Sequence, residues 1–150
     1  RKHGPVGRRL VDGMERSLRV SDITGTGEIR MCESFEHKHS DHGISASIGR
    51  TLGLHRAPVR MDSQAKYAAV SSGMADVYLR LPTKGDYREK IWDHAAGVFI
   101  LERAGGTVTD VAGHALDFSR GRTLAMNRGI VAAASGVHAQ VLRAVMPHFA

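Results

Sequence analysis

The chain alternates between short apolar runs and sets of apolar residues at helical spacing. Leu10-Val11 and Ser17–Val20 read as short strands separated by an Asp12-Gly13 turn, followed by a polar loop over 21–27. Residues 29–35 predict a strand. Ile44, Ile48 and Leu52 then recur every four residues and predict a helix over 44–54, with Gly53 near its end. Pro58 precedes a short strand at 59–62. Ser63 is placed to cap a helix running from Gln64 to about Ser72, closed by Gly73. A strand at 75–81, a loop over 82–89 and a helix at 92–104 follow. The Gly105-Gly106 pair ends that helix before a strand at 107–111. Residues 129–134 form a buried strand. Val137, Val141, Leu142, Val145 and Met146 share one face of a last helix over 137–149.

Strands alternating with helices imply a layered α/β domain, with a central, mixed, largely parallel sheet flanked by helices. The chain has no internal repeat, low-complexity tract or interdomain linker. Its 150 residues suit one domain with a sizeable core, and only 5% are aromatic, so that core rests on Leu, Ile, Val, Ala and Met. A single cysteine, Cys32, excludes an internal disulfide framework and suits a reducing, cytoplasmic setting. No apolar run approaches membrane-spanning length and no signal-peptide pattern is present, so no membrane partner is expected.

Charge narrows the partners. Twenty-one basic against 15 acidic residues give a formal charge of +6, which favours anionic ligands. Helix-turn-helix, zinc-finger and aromatic-basic patterns are missing, so a phosphorylated small molecule is favoured over nucleic acid. The opening Arg1–Arg9 stretch reads as mid-chain material, and the chain is expected to begin inside a larger protein.

Four groups of residues could carry chemistry. Asp93 sits at the mouth of the apolar helix in Lys90-Ile91-Trp92-Asp93-His94-Ala95-Ala96-Gly97. A carboxylate there is oriented by backbone N–H groups and can hold a hard divalent cation, while Gly97 lets the helix press on a neighbour. His37-Lys38-His39-Ser40-Asp41-His42 has the H-x-H-x-D-H spacing of metallo-β-lactamase zinc ligands, or is a loop of exposed histidines. Asp62-Ser63-Gln64-Ala65-Lys66-Tyr67 runs from a strand into a helix N-terminus, an anion site with a hydroxyl and a cation, or simply a capped helix with a surface lysine. Arg80, opposite the faces of Leu79 and Leu81 on its strand, either meets a specific partner or is exposed.

These segments recur in one order. HSDH at 39–42, DSQAKY at 62–67, ADVYLRLP at 75–82, EKIWDHAAG at 89–97 and LDFSRGRTL at 116–124 closely resemble the C-terminal half of the 3′(2′),5′-bisphosphate nucleotidases, a branch of the inositol monophosphatase superfamily. The resemblance spans about residues 28–134. It implies the C-terminal αβα part of a five-layer αβαβα fold, with Asp93 as a Mg²⁺ ligand. His39, Ser63, Lys66 and Arg80 would hold the nucleotide, whereas Asp117 and Arg122 receive a structural loop role.

The family's other metal ligands lie in a Glu-Glu element and an Asp-Pro-Ile-Asp-Gly-Thr element, neither of which occurs in this sequence. The expectation therefore has two levels. The intact protein is a Mg²⁺-dependent phosphomonoesterase that removes the 3′-phosphate of adenosine 3′,5′-bisphosphate, with phosphoadenylyl sulfate as a second substrate. The 150-residue chain alone is inactive, because one carboxylate holds Mg²⁺ weakly. Residues 1–27 would be edge strands and a loop joining the missing N-terminal half, and 28–150 the nucleotide-binding domain. The rival readings are a noncatalytic nucleotide-binding module and a zinc hydrolase using His37–His42.

Overall fold

Alternating side chains on buried strands decide the layering. The computed structural model describes residues 4–36, 41–83 and 87–150. Strand β5 (Val77–Arg80) is buried along its whole length. Val77 and Leu79 enter one core and Tyr78 the other, as the two-residue period of a strand requires. Strand β7 (Ile130–Ala134) divides the same way: Val131 and Ala133 face one side, Ile130 and Ala132 the other.

These strands are the middle of a five-stranded sheet ordered β4-β3-β5-β7-β6. Strands β3 (Met31–Glu33) and β4 (Val59–Arg60) are the parallel side, and β6 (Gly106–Thr109) is the opposite edge. Helices α1 (His42–Thr51) and α4 (Ser135–Val145) cover one face through Ile48, Val137, Val141 and Val145. Helices α2 (Ala65–Ser71) and α3 (Ala95–Arg103) cover the other through Tyr67, Val70, Val98 and Leu101. The result is the expected αβα layering with a mixed sheet. Parallel pairings are two of the four, however, so "largely parallel" holds only for the β4-β3-β5 side. Strands β6 and β7 are joined by a loop without a crossover helix, and such neighbours pair antiparallel.

Several boundaries differ from the sequence reading. Leu10 and Val11 are not a strand but the exposed tip of a hairpin between β1 (Val6–Arg8) and β2 (Glu15–Ser17). The turn is fixed by Gly13 N–H donating to Arg9 O at 2.8 Å and Met14 N–H donating to Asp12 Oδ1 at 3.0 Å, with Gly13 at φ 71°. Val20, also expected in a strand, lies in a loop, where its N–H donates to Ala104 O and its side chain packs on both cores. Helix α1 starts two residues early because Asp41 Oδ1 accepts from Ile44 N at 2.9 Å. The predicted 92–104 helix divides into a 3-10 turn (Ile91–Asp93) and α3, with His94 at φ −131° between them. The last helix stops at Val145, and a 3-10 turn containing Pro147, which has no N–H to donate, follows. Among the described residues no helix is long and apolar enough to cross a membrane.

The start of β5 is anchored by a buried carboxylate. Asp76 is fully buried and accepts from Ser21 Oγ at 2.5 Å, Arg30 N at 2.7 Å, and Arg30 Nε and Nη2 at 2.9 and 2.7 Å. Burial alone would raise its pKa, but the bonds from Arg30 and Ser21 outweigh it and hold the carboxyl below its ordinary value. A carboxyl depressed in the folded state contributes stability above its unfolded pKa, and that contribution disappears as pH falls through the folded pKa. Asp76→Asn is expected to cost about 1.5–3 kcal/mol at neutral pH, since Arg30 keeps some access to water. The same substitution should flatten the acid limb of the stability profile, as followed by urea denaturation from pH 7 downward. An acid limb of unchanged steepness would contradict the assignment.

Candidate functional site

Three strands running in the same direction deliver their C-terminal ends to one edge of the sheet, where ligands of open α/β sheets bind. Ser34 and Glu36 follow β3, Asp62 and Ser63 follow β4, and Arg80 ends β5. These residues line a cavity of about 360 Å³, which Tyr87 and the Asp93 turn also border. Four of the five residues predicted for the site, Ser63, Lys66, Arg80 and Asp93, therefore meet in one place. The fifth, His39, lies outside the described residues, as does His37.

Ser63 occupies the left-handed region at φ 58°, the one described non-glycine residue to do so. Such a conformation costs about 1–3 kcal/mol and persists where neighbouring bonds enforce it. The expected role of Ser63 as cap of α2 needs correction. Gln64 is the N-cap and makes no side-chain cap bond, and Ser63 Oγ accepts only from Ala65 N at 3.3 Å.

Lys66 is not a surface lysine. It is 3% exposed, its Nζ donates to Met61 O at 3.1 Å, and it lies 5.2 Å from the centre of the Tyr78 ring. Burial, the largest cause, lowers its pKa; Cys32 and Asp62 oppose the shift and Arg80 adds to it. Among the described residues no carboxylate forms an ion pair with it. A buried ammonium matched only by a carbonyl and a ring face attracts an anion.

Arg80 is held from behind. Its Nε lies 2.8 Å from Glu89 Oε2, an ion-pair contact off the in-line direction of a hydrogen bond. The same oxygen lies 3.1 Å from His94 Nε2, and His94 Nδ1 is 2.8 Å from Tyr67 Oη. Burial would raise the Glu89 pKa, but His94 and Arg80 outweigh it and keep the carboxylate ionised. An ionised acceptor requires His94 Nε2 to carry hydrogen, and Tyr67 then donates to Nδ1. All four residues are buried, and together they tie β5, the 87–90 loop, the start of α3 and α2 into one unit. The sequence reading missed Glu89, His94 and Tyr67, although all three stand inside its motifs. Glu89 stands between Arg88 and Lys90, His94 follows Asp93 and Tyr67 follows Lys66, so no local pattern marks them as buried.

Gly97 makes this arrangement possible. A Cβ there would stand 2.3 Å from Tyr67 Cδ2, so only glycine lets α3 lie against the tyrosine.

Asp93 differs from its expected geometry. It lies in the 3-10 turn before α3, is exposed, and accepts no hydrogen bond among the described residues, so backbone N–H groups do not orient it. Its carboxylate is uncommitted at the cavity edge, which suits a cation ligand. No group of three or more His, Cys, Asp or Glu able to hold a metal occurs among the described residues, so Asp93 can supply only part of a coordination shell.

The zinc alternative draws on two described residues that already have protein contacts. Asp41 caps α1, and His42 Nε2 lies 3.0 Å from Ser34 O and 3.7 Å from Glu33 Oε1. In the 116–124 loop, Asp117 accepts from Ser119 and Arg120, and Arg122 stacks over the Trp92 ring at 5.3 Å.

Comparison with known proteins identifies the family. The inositol monophosphatase family matches residues 7–148. The chain is 46% identical to a 3′(2′),5′-bisphosphate nucleotidase of Emericella nidulans over 95% of its own length and 41% of that protein. Counterparts from Schizosaccharomyces pombe and Oryza sativa are 45% and 46% identical, covering 88% and 87% of this chain and 39% and 36% of theirs. The chain thus spans about two fifths of the curated relatives it matches. Among solved structures, an inositol monophosphatase from Anabaena superposes with a TM-score of 0.67 at 24% identity, over 89% of this chain and 52% of that one. The Thermotoga maritima IMPase gives 0.66 at 20%, over 87% and 45%. At these identities the likeness shows the fold.

Glu89→Ala removes a carboxylate that contacts both Arg80 and His94. It is expected to destabilise the protein by about 3–5 kcal/mol in denaturant titrations, with Glu89→Gln intermediate. Wild-type midpoints for both variants would rule out the shared role.

Proposed function

This chain belongs to the inositol monophosphatase family, and we propose that it is the substrate-reading, C-terminal part of a 3′(2′),5′-bisphosphate nucleotidase. The reaction proposed for the intact protein is Mg²⁺-dependent hydrolysis of the 3′-phosphate of adenosine 3′,5′-bisphosphate, yielding adenosine 5′-phosphate and inorganic phosphate. Phosphoadenylyl sulfate is proposed as a second substrate. The observation that carries this reading is the convergence of Ser63, Lys66, Arg80 and Asp93 on one cavity.

Each group has a chemical task. Lys66 offers a buried ammonium and Arg80 a planar guanidinium, two cations for a ligand with two phosphates. Ser63 adds a hydroxyl donor, and His39 is proposed to contact the nucleotide from the segment beyond the described residues. Asp93 would hold one face of a Mg²⁺ ion. When bound with its full shell, the metal lowers the pKa of the attacking water and neutralises the leaving oxygen. The remaining ligands are assigned to the part of the protein outside this chain.

The surface supports a missing partner half. The β1–β2 hairpin is a two-stranded ribbon, a unit that is marginal by itself. Between it and α2 runs a groove of about 690 Å³ bordered by Met14, Leu18, Met61, Ala68 and Met74. Phe99, 67% exposed, extends the apolar surface along α3. We assign residues 1–27 to the junction with the N-terminal half and 28–150 to the nucleotide-binding domain. A noncatalytic nucleotide-binding module is the second reading, favoured because no group of three or more His, Cys, Asp or Glu able to hold a metal occurs among the described residues.

Activity assays of the intact protein separate the roles. Asp93→Asn should lower kcat at least about a hundredfold without changing the fold. Lys66→Ala or Arg80→Ala should raise KM for the bisphosphate about 10–100-fold, and far less for a simple phosphomonoester, as expected for a lost charged hydrogen bond. Equal losses on both substrates would refute nucleotide reading by these side chains. The 150-residue chain alone should release no phosphate, and Mg²⁺-dependent turnover by it would overturn the two-part site. Calorimetric binding of the bisphosphate by the intact protein, unchanged by chelator and without turnover, would favour the binding module.

A further inference from the structure

We infer that Gln64 is a positioning residue that locks the nucleotide side of the cavity to its metal side, an inference resting on the roles proposed above for Ser63, Lys66 and Asp93. Gln64 occupies the N-cap of α2, yet its side chain makes no bond to that helix. One end of the carboxamide crosses to α3 and the other to the 3-10 turn before it. Oε1 accepts from Gly97 N at 2.7 Å, and Nε2 donates to Trp92 O at 3.1 Å. Trp92 and Gly97 bracket Asp93, so one side chain holds the aspartate turn from both sides.

The need for this lock is visible at α3. The first amides of a helix lack intrahelical acceptors. The usual source of an acceptor is the N-cap side chain, but His94 at that position is buried towards Glu89 and Tyr67 and caps nothing. Gln64 replaces it from another helix. Its own neighbours are the substrate side: Ser63, strained at φ 58°, precedes it, and Lys66 follows two residues later. Two bonds from Gln64 fix the backbone where the serine bends, so the serine and aspartate turns move together.

Side-chain chemistry makes the position selective. Glutamate would keep the acceptor for Gly97 N and lose the donor for Trp92 O. Asparagine is one methylene short. Methionine matches the length and offers neither bond.

The test uses the intact protein with Gln64→Met and Gln64→Glu. Amide hydrogen exchange is read over 62–66 and 91–97, alongside KM for adenosine 3′,5′-bisphosphate and the Mg²⁺ concentration for half-maximal rate. Gln64→Met should speed exchange in both turns about tenfold while β5 and β7 keep their protection. It should also raise KM and the half-maximal Mg²⁺ concentration together, each about tenfold, as outer-shell partners do. Gln64→Glu should retain protection at Gly97. Unchanged exchange in Gln64→Met overturns the lock, as does faster exchange with both kinetic constants unchanged, or a uniform loss of protection across the sheet. Absence of Mg²⁺-dependent hydrolysis in the wild-type protein would defeat the functional reading instead. Exchange then decides the lock alone: joint loosening of the two turns upholds it, and anything else overturns it.

Discussion

One carboxylate oxygen organises the candidate site. Glu89 Oε2 faces both Arg80 and His94, and His94 passes the connection to Tyr67. A buried guanidinium without such a partner would be costly, and a buried imidazole would be free to turn. With Glu89 in place, the end of β5, the start of α3 and the middle of α2 have one mutual arrangement. Arg80 is thereby presented to the cavity by a rigid frame. The cost of the frame is met locally, because nearly every polar atom in it has a partner.

The frame explains why catalytic potential and packing are hard to separate here. Gly97 has no room for a methyl group because Tyr67 occupies the space, and Tyr67 stands there to reach His94. The same glycine gives its N–H to Gln64. A residue that looks like a packing device is thus also a hydrogen-bond donor in the turn that carries Asp93. Parallel pairing of β4, β3 and β5 supplies the remaining condition, since it brings residues far apart in sequence to one edge.

Much of this was legible in the chain. The αβα layering followed from alternating strand and helix periods, and the site residues followed from motifs whose order matched one family. What the residues could not disclose was which polar groups are inside. Lys66 reads as a surface cation until the Tyr78 ring and the Met61 carbonyl are seen around it. Asp41 belongs to the zinc-like spacing that was one alternative, and it caps α1. Leu10 and Val11 look like strand material, but the Asp12-Gly13 bend captures them, and local turn bonds outweighed β propensity. Gln64 carries no charge and no periodic signal, so its two bonds to Trp92 and Gly97 are visible only in three dimensions.

Lys66 has a consequence for energetics of another kind. A buried ammonium with no ion-paired carboxylate among the described residues is costly to keep charged. On the proposed function, a phosphate beside Lys66 would offset that cost. Occupancy and resistance to unfolding would then be two expressions of one free energy, with the loaded domain the sturdier.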